Sequence, residues 1–286
     1  KGLRWFNDAL HWREPETQEF PTAVELQEWL DHPAPFWVFD YETDGINTRD
    51  IGVRCLAIAT PDVDADGRPT QPWEIPTQNA RTIGIPFLGT DSPGRRFYSP
   101  SEEAAVKDVL REFFADETKV KVGHNAGYFD RMVTETWLGV TPKPIHDTLF
   151  DARFTHPDLP KGLKPTGRRL TDVDKWETNE SGEKNSGSKV LDQERLVYCE
   201  MDTVVNARIF APLKYSADAN GADQPLPDWA KPVNWPSARP WDLRNLDHER
   251  QEMCVQMHKN GVYVNQARVA LLTDKFEGVA ARLRTD

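Results

Sequence analysis

The sequence predicts an α/β fold that opens on an antiparallel meander and closes on a helical extension. Three observations carry that expectation. The run Phe36-Trp37-Val38-Phe39 has the length and content of a buried strand, two more strand-like stretches follow before the next helical pattern, and helical spacing returns from residue 243 onward. With 286 residues the chain can bury a sizeable core as one large domain with appendages.

In chain order, residues 19–31 set Ala23, Leu26 and Leu30 at helical spacing behind Thr22, a cap candidate, and lead into the first strand. A second strand is expected over 53–60 and a third near 95–98, with Ile83-Gly84-Ile85 able to add another short one between them. Ser101, followed by Glu102 and Glu103, marks a helix over 102–115; Ala104 denies Ser101 a capping box. Its expected apolar face is Ala105, Val109, Leu110 and Phe113. Residues 119–122 alternate as a strand, and a helix over 128–138 follows with Asn125 as its cap candidate. Residues 177–189 hold no apolar side chain larger than Gly and read as a mobile loop or disordered segment. Residues 191–213 are helical, a Pro- and Trp-rich connection follows in which Trp229, Trp235 and Trp241 are either ordinary core or loop anchors or pins of that connection to the domain surface, and helices return at 243–258 and near Gln266. The expected division is an extension over 1–17, a main domain over 18–215, the connection over 216–242 and the helical tail over 243–286.

A net charge of −11 argues against holding nucleic acid by bulk electrostatics, because such binding scales with the phosphates neutralised by Lys and Arg. Cys55, Cys199 and Cys254 are widely spaced and odd in number, which indicates neither a disulfide framework nor a zinc site and suggests an intracellular, reducing compartment. No apolar run approaches a membrane span and no secretory signal is visible. The chain begins at Lys1 and stops at Asp286 inside a helical pattern, so both ends are expected to be cuts through a longer polypeptide.

Three short patterns carry chemistry. Asp40-Tyr41-Glu42 ends the buried strand, and a period of two puts both carboxylates on one face with Tyr41 on the other. Asn125-Ala126-Gly127-Tyr128-Phe129-Asp130 places a carboxylate in the first turn of a helix leaving a strand end. Tyr198 and Asp202 lie four apart and share a helix face. Alone, each has an ordinary structural explanation. Converging, the four carboxylates would suit two hard divalent cations, Mg2+ or Mn2+, which take oxygen ligands and can clamp both oxygens of an in-line phosphoryl displacement.

In this order the DxE strand, the NxxxFD segment and the YxxxD helix resemble the three exonuclease motifs of the DnaQ-like superfamily, in its tyrosine branch. The resemblance covers roughly residues 18–213 and implies a ribonuclease-H-like fold, a mixed sheet with antiparallel strands first, flanked by helices. It implies that Asp40, Glu42 and Asp202 hold the ion of the nucleophilic water, that Asp40 and Asp130 hold a second ion, and that Tyr198 orients the water. Thr43 and Ile46 would meet the 3′ nucleotide, as would Asn125. The family's D-T-L strand end and basic G-L-K turn have counterparts in Asp147-Thr148-Leu149 and Lys161-Gly162-Leu163-Lys164.

The stretch from Leu246 to Asn265 resembles the segment joining exonuclease to thumb in family A DNA polymerases, with Asp247, His248 and Asn265 departing from the usual pattern. The implied function is 3′ to 5′ proofreading on single-stranded DNA or a frayed primer end, with the polymerase domain in the same parent chain and the protein monomeric. Lys161, Lys164, Arg168 and Arg169 form a basic cluster expected on the phosphates of the strand being degraded. A ribonuclease-D-like exoribonuclease and a silent nucleic-acid-binding module remain alternatives. Residues 62–67 resemble the start of an EF-hand loop, but Trp73 stands where the loop needs Glu.

Overall fold

The computed structural model describes residues 4–5, 21–49, 51–61, 80–88, 96–171, 173, 176, 193–219, 243–261 and 266–283. The polar stretch 177–189, the EF-hand-like residues and the three tryptophans of the connection lie outside them.

The strands are β1 (Arg4–Trp5), β2 (Trp37–Thr43), β3 (Val53–Pro61), β4 (Ala80–Pro86), β5 (Lys121–Gly123) and β6 (Ile145–Asp147). They form one mixed sheet in the order β1-β4-β3-β2-β5-β6. β1, β4, β3 and β2 pair antiparallel, whereas β5 and β6 join parallel. With helices on both faces this is the expected ribonuclease-H-like architecture. The helices are α1 (Ala23–Leu30), α2 (Pro100–Ala115), α3 (Phe129–Leu138), α4 (Thr148–Thr155), α5 (Leu163–Leu170), α6 (Gln193–Ala219), α7 (Leu243–Asn260) and α8 (Gln266–Leu283).

Strand periodicity divides the core. Trp37, Phe39 and Tyr41 of β2 point into a cluster with Leu26, Trp29 and Leu30 of α1 and Val106, Leu110, Phe113 and Phe114 of α2. Phe36 and Val38 face the other way, against Val204, Ala207 and Phe210 of α6. Asp40 and Glu42 therefore fall on the α6 side. The far side of α6 packs Val205, Ile209 and Leu213 on Ala152 and Leu163, so this helix is buried on two sides, between the sheet and α4 and α5, with Glu200, Asp202, Asn206 and Arg208 buried among its apolar residues.

Several expectations are corrected. The short strand foreseen at Ile83-Gly84-Ile85 is present and longer, as β4 at Ala80–Pro86, whereas the strand expected at 95–98 is not: among the described residues that region contributes the isolated bridge Leu88–Arg96. Gly84 and the flanking prolines weaken the strand signal, but α6 packs closely on Gly84, where a Cβ would lie 2.7 Å from Glu200 Oε1 and 2.9 Å from Leu196 Cδ1 and would have to displace those side chains. α2 begins two residues before the expected start: Ser99 and Glu102 form a reciprocal capping box with Pro100 at the first helical position. Its buried face is Val106, Leu110, Phe113 and Phe114. Thr22 caps α1 as expected, in a capping box with Glu25. Asn125 does not cap α3; the cap position is Tyr128, and Asn125 has a left-handed backbone at φ 66°, which Asn tolerates better than most residues. Thr148 begins α4 directly, capped by the Asp147 side chain. α6 runs on to Ala219, past the helix end expected at 213.

Candidate functional site

Position follows from the fold. β2 delivers Asp40 and Glu42 at the centre of the sheet, and the register shifts between Glu42 and Thr43, so the chain bends as the motif ends. α6 crosses this face with Arg195, Tyr198, Cys199 and Asp202, spaced three, four and seven apart along one side of the helix. The Cys199 thiol lies 3.3 Å from the Asp40 carbonyl and 3.7 Å from its Oδ2.

Asp130 arrives from α3 through a loop that Asp147 organises. Asp147 is fully buried and accepts from Asn125 N at 2.7 Å, Gly127 N at 3.2 Å, Leu149 N at 3.0 Å and Gln251 Nε2 at 3.2 Å. Gly123 allows the close approach, for a Cβ there would meet Ala126 Cβ at 2.1 Å. Asp130 is 6% exposed and accepts from the Tyr41 amide at 3.3 Å, which ties the second motif to the strand of the first.

The electrostatics register this convergence. Burial first, then the like charges of Asp130, Asp202 and Glu42, push the Asp40 carboxyl well above the usual carboxylate range, opposed by Lys164. Asp130 is raised to about 7, mainly by burial, with backbone hydrogen bonds opposing and the charges of Asp147 and Glu42 adding. Asp202, also 6% exposed, is bracketed: the Lys164 ammonium donates to Oδ2 and the Trp176 indole N–H donates to Oδ1 at 2.6 Å. Lys164 also lies 4.3 Å over the Tyr198 ring. Burial raises the Tyr198 pKa, the Asp202 charge adds to the rise, and Lys164 opposes it. Arg195 Nη1 reaches Glu42 Oε2 at 3.3 Å.

Hard, anionic oxygens brought together and partly dehydrated fit a divalent cation in donor chemistry. As placed, no three His, Cys, Asp or Glu side chains among the described residues converge closely enough to chelate one. Two of the carboxylates are instead engaged by basic side chains.

Asp40, Glu42, Asp130, Tyr198 and Asp202 are thus brought to one region. The other expected residues divide. Thr43 is half-buried and donates to Gly45 O at 2.7 Å, Ile46 is 84% exposed on the loop after β2, and Asn125 is exposed at the turn before α3. The four basic side chains of the expected cluster point in different directions. Lys164 points into the carboxylates; Lys161 donates to Pro157 O; Arg169 reaches Pro160 O at 3.0 Å and Thr166; Arg168 is exposed. His124 is structural, bridging Thr148 Oγ1 at 3.0 Å and Lys161 O at 2.8 Å.

Trp176, Arg195 and Cys199 are site neighbours that sequence reasoning missed. Arg195 had a usable signal, since it shares the helical face of Tyr198 and Asp202. Trp176 had none, because only the fold brings it to Asp202.

Residues 96–216 match the family model described as 3′-5′ exonuclease. The match spans less than half of the 286 residues; it includes Asp130, Tyr198 and Asp202 and begins after Asp40 and Glu42. No curated protein matches the chain. Solved structures similar to it include Brucella melitensis NrnC, at 18% identity over 80% of this chain and 84% of that one, TM-score 0.47. Escherichia coli RNase D is 17% identical over 72% of this chain and 46% of that one, TM-score 0.47. The POL domain of Pol1 from M. smegmatis is 18% identical over 71% and 27%, TM-score 0.40. Among the described residues, no helix is long and apolar enough to cross a membrane.

Proposed function

We propose that the chain is a 3′ to 5′ exonuclease that hydrolyses the terminal phosphodiester of a single strand and releases nucleoside monophosphates. The observation that carries this reading is the meeting of Asp40, Glu42, Asp130 and Asp202 from one strand and two helices, close enough that three of them raise the pKa of the fourth. The exonuclease family match over 96–216 supports it independently.

Asp40, Glu42 and Asp202 would hold one divalent cation, and Asp40 with Asp130 a second. Bound Mg2+ or Mn2+ supplies Lewis-acid polarisation of the phosphate and eases ionisation of water. The protein's own groups do the positioning. Tyr198 offers its phenol to orient the attacking water and, with its raised pKa, keeps its proton at neutral pH. The Trp176 indole fixes the rotation of Asp202. The bend after Glu42 leaves Thr43 at the strand end and the exposed Ile46 beyond it, where a splayed 3′ nucleotide would lie.

The finer reading is proofreading in a family A DNA polymerase, supported by the likeness of residues 246–265 to that family's exonuclease-to-thumb segment. α7 also packs back onto this domain: Gln251 reaches Asp147, Glu252 pairs with Arg131 and Lys259 pairs with Glu135.

The test is a labelled single strand, DNA or RNA, with Mg2+ or Mn2+, comparing wild type with Asp40→Ala/Glu42→Ala. Wild type should shorten DNA from the 3′ end and the double variant should not. Equal degradation by both would sink the site assignment, and shortening of RNA alone would replace the proofreading reading with the exoribonuclease one.

A further inference from the structure

The two basic side chains inside the carboxylate cluster have no place in the exonuclease reading so far. Lys164 and Asp202 form an ion pair whose side chains are 18% and 8% exposed, and Arg195 and Glu42 one at 16% and 19%. They come from different elements, α5 and α6, and each reaches a different carboxylate. Both engage groups that the function assigns to a cation, so a bound metal and these side chains would compete for the same oxygens.

We propose that Lys164 and Arg195 are tethered counter-ions of the cluster: they neutralise Asp202 and Glu42 in the metal-free chain and yield them when divalent cations bind, thereby setting metal affinity. The proposal rests on reading the cluster as a cation site. It accounts for a feature of the geometry, namely that four converging carboxylates do not close on one point while two of them are turned to basic partners.

Four nearby carboxylates repel one another strongly in a partly dehydrated site, where water and salt screen little. Positive charge beside the cluster eases this repulsion where the strand end packs on α6, and Lys164 and Arg195 place it there, on Asp202 and Glu42. A lysine suits a releasable role, since its ammonium is a compact charge on a flexible stem and the geometry does not hold it as a planar fork would. Asp202 would not be left unguided after Lys164 withdraws, because Trp176 Nε1 holds its other oxygen at 2.6 Å without a charge. Arg195 shares the α6 face with Tyr198 and Asp202, so its withdrawal needs only a change of side-chain rotamer.

This makes Lys164 and Arg195 positioning residues, with a signature that damage to the fold cannot imitate: removing the charge should tighten metal binding. Mn2+ binding to the nucleic-acid-free protein would be measured by titration calorimetry for wild type, Lys164→Met, Lys164→Arg, Arg195→Gln and Asp40→Asn, each checked for folding by circular dichroism. Lys164→Met should bind Mn2+ roughly tenfold more tightly, the equivalent of about 1.4 kcal/mol. Lys164→Arg, which keeps the charge, should stay near wild type. Arg195→Gln should tighten binding in the same direction and supplies a second arm should Lys164→Met fail to fold. If Mn2+ binds wild type and is lost in Asp40→Asn, yet both neutral variants bind it no tighter, the counter-ion proposal is overturned and the cation site stands. If wild type and Asp40→Asn alike bind no Mn2+, both readings fall.

Discussion

Replacing Asp130 with Asn should change how the metal-free protein's stability depends on pH. Asp130 titrates in the native state at about 7, against an ordinary 3.8, because burial and the neighbouring carboxylates disfavour its charge. A native pKa above the unfolded one means the folded chain binds more protons through that interval. The associated stability is therefore complete below about pH 4 and is lost as pH rises through 7. A shift of this size corresponds to an upper bound of about 4 kcal/mol, shared with Asp40, whose carboxyl is raised for the same reason and titrates with it. Asn keeps the shape and has no charge to bury, so the variant should gain on wild type across that interval. The assay is urea unfolding in EDTA from pH 4.5 to 8.5 for both proteins. The difference should widen toward high pH and shrink again when millimolar Mg2+ replaces EDTA. Parallel curves at all pH values would refute the claim that Asp130 is held in a dehydrated, like-charged cluster.

Other expectations follow from packing. Thr134→Val removes the hydroxyl that hydrogen-bonds the buried Tyr41 phenol at 3.0 Å, and should cost about 1–3 kcal/mol in urea unfolding. Gly167→Ala places a Cβ 2.6 Å from Val205 Cγ1 and 3.2 Å from the Trp176 ring, so it should cost about 1–3 kcal/mol and weaken exonuclease activity through Asp202. Gly162→Ala, whose Cβ would have only Pro165 carbons at 3.7 and 3.8 Å, serves as the tolerated control. Ending the chain at Ala219 removes Gln251 from Asp147 and Glu252 from Arg131, and should speed amide hydrogen exchange at Asn125 and Gly127; unchanged exchange would mean α7 does not support that loop.

Asp40 and Glu42 were legible in the sequence because a strand period of two puts them on the face opposite Tyr41, and α6 does cover that face. The Tyr198 and Asp202 pair was legible for the analogous helical reason. β4 was legible only in part, as the short piece Ile83-Gly84-Ile85, since Gly84 and Pro86 weaken a strand signal, and the close packing that suits a glycine comes from Leu196 and Glu200, over a hundred residues on in the chain. The α2 cap was in the sequence as Ser99 with Glu102, obscured by Pro100 and by the nearer serine at 101. Asn125 was misread because local rules see a capping residue before a helix, whereas its backbone is shaped by Asp147, which accepts its N–H. The inward turn of Lys164 onto Asp202, while Arg168 stays exposed, was not legible, because the sequence shows only a run of basic neighbours.

The most direct test of the central claim is the identity of the first product released from a single strand carrying a 3′-terminal label, in Mg2+, with the same strand labelled at its 5′ end run in parallel. The carboxylate cluster predicts a labelled mononucleotide as the first product from the 3′-labelled strand, and a descending ladder from the 5′-labelled one. Labelled mononucleotide appearing first from the 5′ end, or internal cleavage into long fragments, would contradict it.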